Sequence, residues 1–273
     1  PRGLFYKSGL SLVVLPVLVN QPPSLPVGTL KVTVMDVGQG QAILLQTKHK
    51  AMLYDAGPAM GGNNLGETIV LPSLQIRGVR TLDLLLISHQ DLDHSGGAAI
   101  LKKHLPIAQV INGEPQTGEA ACKPKQWEWD QVQFSIWQAP KAGTSNERSC
   151  ILLVKTQEQA LLILGDAGIK EELLWLQAHP EQTVSWLVLG HHGSKTSSGK
   201  VFLEGVGVEN VVISRGKYNS YNHPHPEVKK TLEQLQVKVY DTALHGAIEI
   251  YFADGVEVKH RSLAPSVWQS SKF

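Results

Sequence analysis

Three short apolar runs in this chain each stop at a polar turn that holds glycine next to a metal-capable side chain, and no other feature constrains the fold as much. Leu82 to Ile87 runs into Ser88-His-Gln-Asp-Leu-Asp-His-Ser-Gly-Gly97, which places His89, Asp91, Asp93 and His94 within six residues. Ala160 to Leu164 stops at Gly165-Asp166-Ala-Gly168, and Ser185 to Leu189 stops at Gly190-His191-His192-Gly193. Apolar runs this short, bounded by turn residues, read as buried strands. Glycine beside the polar residue permits the sharp turn and close backbone approach that a metal centre demands. Without a cation, clustered carboxylates repel one another. The pattern predicts that the three strand ends meet around a positive charge; the other readings are a solvated polar turn for the first run and a turn residue or helix cap for Asp166.

Further strand-like runs cover Lys31–Val37, Ala42–Thr47, Met52–Asp55, Val132–Trp137, Ile151–Lys155, Val211–Ser214, Val237–Tyr240 and Ala247–Phe252. Helical patterns cover Leu71–Arg77, Ala98–His104, Lys170–Gln177, Val201–Gly205 and Glu227–Leu235. Many strands interleaved with few helices predict an α+β fold of two packed mixed sheets with helices on their outer faces. A length of 273 residues, 42% hydrophobic and 18% charged, suits one large sandwich domain or two small ones. The net charge of +1 argues against a broad basic surface of the kind a stable duplex binder carries. A local groove beside divalent cations would still serve a nucleic acid. Trp127, Trp129 and Trp137 are read as core or interface aromatics, with base stacking as the other reading.

These motifs, with several others in the same order, resemble the metallo-β-lactamase superfamily, whose fold is an αββα four-layer sandwich. The further pieces are Val34-Met-Asp-Val-Gly-Gln-Gly40, Leu53-Tyr-Asp-Ala-Gly57, Asn146-Glu-Arg-Ser149, His191-His-Gly-Ser-Lys195, Ser214-Arg-Gly-Lys-Tyr-Asn219 and His223-Pro-His-Pro226. The ordered set is most similar to the C-terminal domain of ComEC-type DNA-uptake channel proteins. In the superfamily's usual His-x-His-x-Asp-His motif, Asp91 here stands in place of the second His.

The resemblance implies two divalent metal ions, manganese or zinc, the carboxylate-rich set leaning to manganese. His89 and Asp91 would hold the first, Asp93 and His94 the second, and Asp166 would bridge. His192 is expected to complete the second site, with His191 as its support or as a substrate contact. The third first-site His of many relatives has no counterpart, because Asn146 and Ser149 occupy that stretch. Two such ions would activate a bridging water and stabilise charge on a phosphoester. Asp93, Asp166, His191, Lys195, His223 and His225 are the catalytic candidates. Ser194, Lys195, Thr196, Arg215 and Asn219 offer the cations and neutral donors that suit phosphate. The implied activity is a nuclease acting on DNA, expected to be single-stranded, in which the non-transported strand is degraded during uptake. Two other readings are a weakly catalytic DNA-guiding module, suggested by Gln41 where the family commonly has Asp, and a metallohydrolase of another ester. A choline-phosphate ester would call for an aromatic cage, for which Trp127 and Trp129 are the candidates.

Residues 1–27 are expected to form a juxtamembrane segment and Pro-rich linker, 28–262 the hydrolase domain, and 263–273 a tail. The apolar run Leu10 to Val19 is too short for a bilayer, where ~20 residues are needed. Pro1 suggests a piece of a longer protein. The resemblance places such a domain outside the cytoplasm on an inner-membrane protein, in the periplasm. Its partners would be DNA, the membrane channel portion of the same protein and other DNA-uptake proteins, the isolated domain being a monomer. In that oxidising setting the two cysteines, Cys122 and Cys150, are expected to form a disulfide.

Overall fold

The computed structural model describes residues 24–140 and 143–261. Two mixed sheets pack face to face. The first has eight strands in the order Gly255–His260, Ile248–Ala253, Leu30–Val34, Ile43–Gln46, Ala51–Tyr54, Leu84–Ile87, Val110–Asn112 and Ala120–Ala121. The second has seven, in the order Lys238–Asp241, Asn210–Ile213, Trp186–Val188, Ala160–Ile163, Ile151–Lys155, Val132–Trp137 and Lys125–Trp129. Each sheet is antiparallel over one half and parallel over the other: Ala51–Tyr54 pairs parallel with Leu84–Ile87, and Ala160–Ile163 parallel with Trp186–Val188.

Strand alternation explains how two faces of each sheet are buried at once. Leu84 and Leu86 point into the layer between the sheets, together with Leu161, Ile163, Trp186 and Val188 from the opposite sheet. Leu85 and Ile87 point the other way, against Leu74 and Leu101 of the helices Leu71–Ile76 and Ala98–His104. Leu162, Leu187 and Leu189 likewise pack on Trp175, Phe202 and Leu232 from three helices over the second sheet. Because every central strand is covered on both sides, these segments read as continuous apolar runs. The result is the expected αββα sandwich.

A disulfide joins Cys122 to Cys150, tying the edge of the first sheet to the start of the Ile151–Lys155 strand of the second. Both cysteines are buried, and the Tyr54 hydroxyl donates 2.7 Å to the Cys150 carbonyl across the same layer. Trp127 and Trp129 lie on the edge strand Lys125–Trp129, where Trp127 stacks on Phe134 at 5.4 Å. That strand is three removed from Ala160–Ile163, on the order of 14 Å at ordinary strand spacing. These tryptophans therefore belong to the core margin and form no cage at the strand ends. Sequence reasoning missed this strand, the closing strand Gly255–His260 and the short Val110–Asn112. No helix among the described residues is long and apolar enough to cross a membrane. The expected juxtamembrane run Leu10 to Val19 and the tail 263–273 lie outside the described residues.

Candidate metal centre

The three strand ends do meet. Leu84–Ile87 leads into a loop and a single helical turn, Leu92–Ser95, which carries Asp93 and His94. The carbonyls of both are pinned, Asp93 O accepting from Gln41 N at 3.1 Å and His94 O from Ala56 N at 2.7 Å. Gly40 passes so close to that turn that a Cβ there would run into the Asp93 carbonyl oxygen. On the second sheet, Ala160–Ile163 delivers Asp166 through Gly165, whose φ of +59° and contact with Ser88 both favour glycine. Trp186–Val188 delivers His191 and His192, two consecutive non-glycine residues with φ of 50° and 55°. Left-handed conformations at two adjacent histidines are costly and mark a backbone held for its side chains.

Asp166 is the centre of the arrangement. Its Oδ1 lies 3.0 Å from His94 Nε2 and 3.7 Å from His192 Nε2. Its Oδ2 lies 3.6 Å from His191 Nε2 and 4.0 Å from His89 Nε2. Each carboxylate oxygen thus faces two imidazoles. On the Oδ1 side Asp93 adds its Oδ2 at 3.2 Å from His192 Nε2. Asp93, His94, Asp166 and His192 bring one ligand atom each within 4.8 Å of one another. On the Oδ2 side Asp91 adds its Oδ2 at 3.6 Å from His89 Nε2. This second group is the looser one, and the Asp91 side chain is 47% exposed.

Every one of these histidines has its Nδ1 engaged elsewhere. His94 Nδ1 donates to Asp55 Oδ2 at 2.7 Å, and His192 Nδ1 donates to the Ser214 carbonyl at 2.8 Å. Ser88 Oγ donates its one proton to Asp55 Oδ2 at 2.9 Å, so toward His89 Nδ1, also at 2.9 Å, it accepts. His191 Nδ1 meets Thr196 Oγ1 at 3.2 Å. Anchoring one ring nitrogen fixes the tautomer and aims the other at a metal. His89 Nε2 is buried without a hydrogen-bond partner, an orphan that a buried site does not ordinarily leave.

Electrostatics point the same way. Burial would push His94 down, but Asp166 and Asp55 outweigh it and hold the imidazole well above its usual range. Burial would likewise raise Asp166, yet His94, His192 and His89 hold its carboxyl well below the ordinary value. Burial, followed by the neighbouring His94, pushes His89 down. The cluster therefore gathers a positive charge even with protons alone. A divalent cation would take the place of the His94 proton and would satisfy His89, so these residues fit a metal.

The other expected site residues fall into two sets. His191, Ser194 and Thr196 form one connected edge, Ser194 Oγ lying 3.0 Å from Thr196 Oγ1, and Lys195 is exposed beside them. His223 stacks over His192 at 6.5 Å and meets His191 at 5.8 Å. Burial, with His191 and His192 next to it, lowers His223 to about 4. The rest serve the scaffold. Arg215 pairs with Asp241 at 2.7 Å, and Asn219 bonds Gly216 O and both the N and O of His223. His225 caps the helix Pro226–Gln234, its Nδ1 accepting from Glu227 N at 3.3 Å.

Sequence reasoning passed over Asp55 as a site residue. Fully buried, it accepts from Ser88 N at 2.7 Å as well as from Ser88 Oγ and His94. The signal was present: Asp55-Ala-Gly57 repeats the Asp166-Ala-Gly168 triplet after a strand. Ser149, where relatives were expected to carry a ligand, is buried and accepts from Asp166 N at 3.0 Å.

A family model of the metallo-beta-lactamase superfamily matches residues 35–217. Competence protein ComA of Neisseria gonorrhoeae is 34% identical over 279 residues, covering 100% of this chain and 40% of that protein. Recombination protein 2 of Haemophilus influenzae is 32% identical over 268 residues, covering 95% of this chain and 33% of that protein. The chain thus spans two fifths or less of the length of these curated relatives. Among solved structures, the metallo-beta-lactamase fold protein YhfI from Bacillus subtilis shares the fold with a TM-score of 0.56 at 11% identity, covering 81% of this chain and 99% of that one. Motifs, architecture and these comparisons agree: the chain belongs to the metallo-beta-lactamase superfamily.

Proposed function

We propose that this chain is a metal-dependent phosphodiesterase domain that hydrolyses DNA during DNA uptake, degrading the strand that is not transported. The observation that carries the reading is Asp166, each of whose oxygens faces two imidazoles, one on either side supported by a further carboxylate. One divalent ion, manganese or zinc, would be held by Asp93, His94, Asp166 and His192. The other would be held by His89, Asp91, Asp166 and His191, so that His191 replaces the missing third histidine. Bound ions would make hydroxide available near neutral pH and offset charge on the phosphate in the transition state.

The chain's own residues supply the rest. Asp55, Ser88, Ser214 and Thr196 keep the four imidazoles aimed. His223, neutral at neutral pH, offers hydrogen bonding above the cluster, and exposed Lys195 offers a cation to the phosphate chain. Arg215, Asn219 and His225 shape the loop that carries His223. Support for DNA as substrate comes from the name of the gonococcal relative, a competence protein. A location outside the cytoplasm, as a domain of an inner-membrane channel protein with other uptake proteins as partners, is supported by the disulfide. Gln41 favours the second reading, a DNA-guiding module of low activity: its side-chain oxygen is buried without a partner next to the Asp93 turn.

The test is hydrolysis of labelled single- and double-stranded DNA by metal-stripped protein with manganese, zinc or magnesium restored in turn. Cleavage that needs metal and vanishes in both Asp93→Ala and Asp166→Ala is the expected result. Two bound ions with no cleavage under any metal would overturn the nuclease reading. Elemental analysis of His191→Ala should show one ion retained and the other lost. Two ions retained at wild-type affinity would remove His191 from the ligand set.

A further inference from the structure

The loop from Gly216 to His223 exposes two tyrosines that the metal cluster does not use. Tyr218 is 90% and Tyr221 64% exposed. Tyr221 lies parallel over His223, 5.6 Å between ring centroids at 25°, and His223 lies over His192 at 6.5 Å and the same angle. His192 in turn meets His94 at 5.1 Å. A column of rings therefore runs from two cluster residues out to solvent, and its outermost face is Tyr221. The column is held in place. The Asn219 side chain bonds Gly216 O at 2.9 Å, His223 O at 3.0 Å and His223 N at 2.8 Å, and Gly216 N donates to Gln39 Oε1 at 3.3 Å. Lys217 Nζ stands 5.6 Å over the Tyr218 ring, which places a cation and a second exposed ring on the same loop.

A preorganised aromatic face on a loop that also carries a lysine is what an unpaired nucleotide recognises, because every base has a π-face and a phosphate next to it. In a duplex interior both faces of each base are already covered by neighbours, so Tyr221 has nothing to stack on. The net charge of +1 also leaves little non-specific attraction for duplex. We propose that Tyr221, backed by His223 on a loop that also carries Lys217 and Tyr218, is a stacking platform that receives one unpaired base and selects single-stranded over duplex DNA. This inference rests on the phosphodiesterase reading above and adds the residue that tells unpaired DNA from duplex.

The test is equilibrium binding of phosphorothioate-linked oligonucleotides, which slow hydrolysis, to the full chain with manganese restored. One 2-aminopurine is moved along the strand. The wild-type protein should quench it at one position by stacking. Tyr221→Ala should abolish that quench and weaken single-strand binding about tenfold, equivalent to about 1.4 kcal/mol and within the range of base–aromatic stacking. Duplex binding should not change, so the single-strand preference falls by the same factor. Tyr221→Phe should restore both quench and preference, because stacking needs the ring and not the hydroxyl. An unchanged quench or strand preference in Tyr221→Ala would overturn the platform, as would failure of Tyr221→Phe to restore them. Those results leave metal-dependent cleavage by the wild-type chain standing, whereas a chain that neither binds nor cleaves DNA overturns both proposals.

Discussion

Asp55→Asn separates the aiming of a ligand from the ligand itself. The native carboxylate accepts three hydrogen bonds: from Ser88 N at 2.7 Å, Ser88 Oγ at 2.9 Å and His94 Nδ1 at 2.7 Å. Asparagine keeps one oxygen, which can still accept from Ser88 N. Its amide nitrogen then faces His94 Nδ1 and can only donate. His94 must turn its Nδ1 lone pair toward that amide and carry its proton on Nε2, the atom that lies 3.0 Å from Asp166 Oδ1. That proton occupies the position a metal needs. Loss of such a support costs about 10- to 100-fold in metal affinity, or about 1.4–2.8 kcal/mol. A charge-assisted hydrogen bond is also lost, worth roughly 1.5–3 kcal/mol of stability. Titration calorimetry of manganese or zinc into metal-stripped protein would measure the first effect, and urea unfolding the second. Ser88→Ala, which leaves His89 Nδ1 only the longer contact to Ser149 Oγ at 3.5 Å, should weaken the other ion. The reasoning fails if Asp55→Asn binds both ions as tightly as the native chain.

Two further outcomes concern stability. Reducing the Cys122–Cys150 bond, which closes a loop of sequence separation 28, should cost about 3.6 kcal/mol on a chain-entropy estimate; equal urea midpoints with and without reductant would contradict this. Glu172, buried with its carboxylate accepting from Ser198 N at 2.5 Å and Gly199 N at 3.0 Å, is raised from 4.5 to about 7, by burial first and by Glu171 beside it. Because the folded state keeps a proton that the unfolded state loses, stability should fall as pH rises from about 4.5 to 7, by about 3 kcal/mol in all, and then level off. Glu172→Gln should flatten that slope in urea unfolding at a series of pH values, and an unchanged slope would exclude Glu172 as its source.

Much of the fold was legible because burial leaves a simple mark. Val132–Trp137 and Ile151–Lys155 were read to the residue, and the helix Ala98–His104 likewise. Central strands covered on both faces appear as unbroken apolar runs, and glycine marks where they stop. What escaped were elements whose partners define them. The edge strand Lys125–Trp129 is exposed or half-buried, carries Lys and Gln before its first tryptophan and Glu between the two, and becomes a strand by pairing with Val132–Trp137. Gly255–His260 is exposed over most of its length and is a strand because Ile248–Ala253 pairs with it. Each does alternate, Trp127 with Trp129 and Val256 with Val258, but over only two apolar positions, which is too short a pattern to separate it from loop.

The site divides along a similar line. Residue types that can bind cations announce themselves, so His89, Asp91, Asp93, His94, Asp166, His191 and His192 could be read from glycine-flanked strand ends, and the structure brings the other six around Asp166. Residues that aim those ligands carry no such mark. Ser88 and Ser149 are ordinary polar residues in sequence, and Ser214 acts through a backbone carbonyl that any residue would supply. Their roles exist only because two sheets bring Ser88 to Gly165 and Ser214 to Gly40. The same distinction reassigns Arg215 and Asn219: a cation and an amide close in sequence to candidate ligands look like substrate contacts until Asp241 and the His223 backbone are found on them. Sequence can nominate side chains for chemistry, but whether a polar group is free to do it depends on what the fold places beside it.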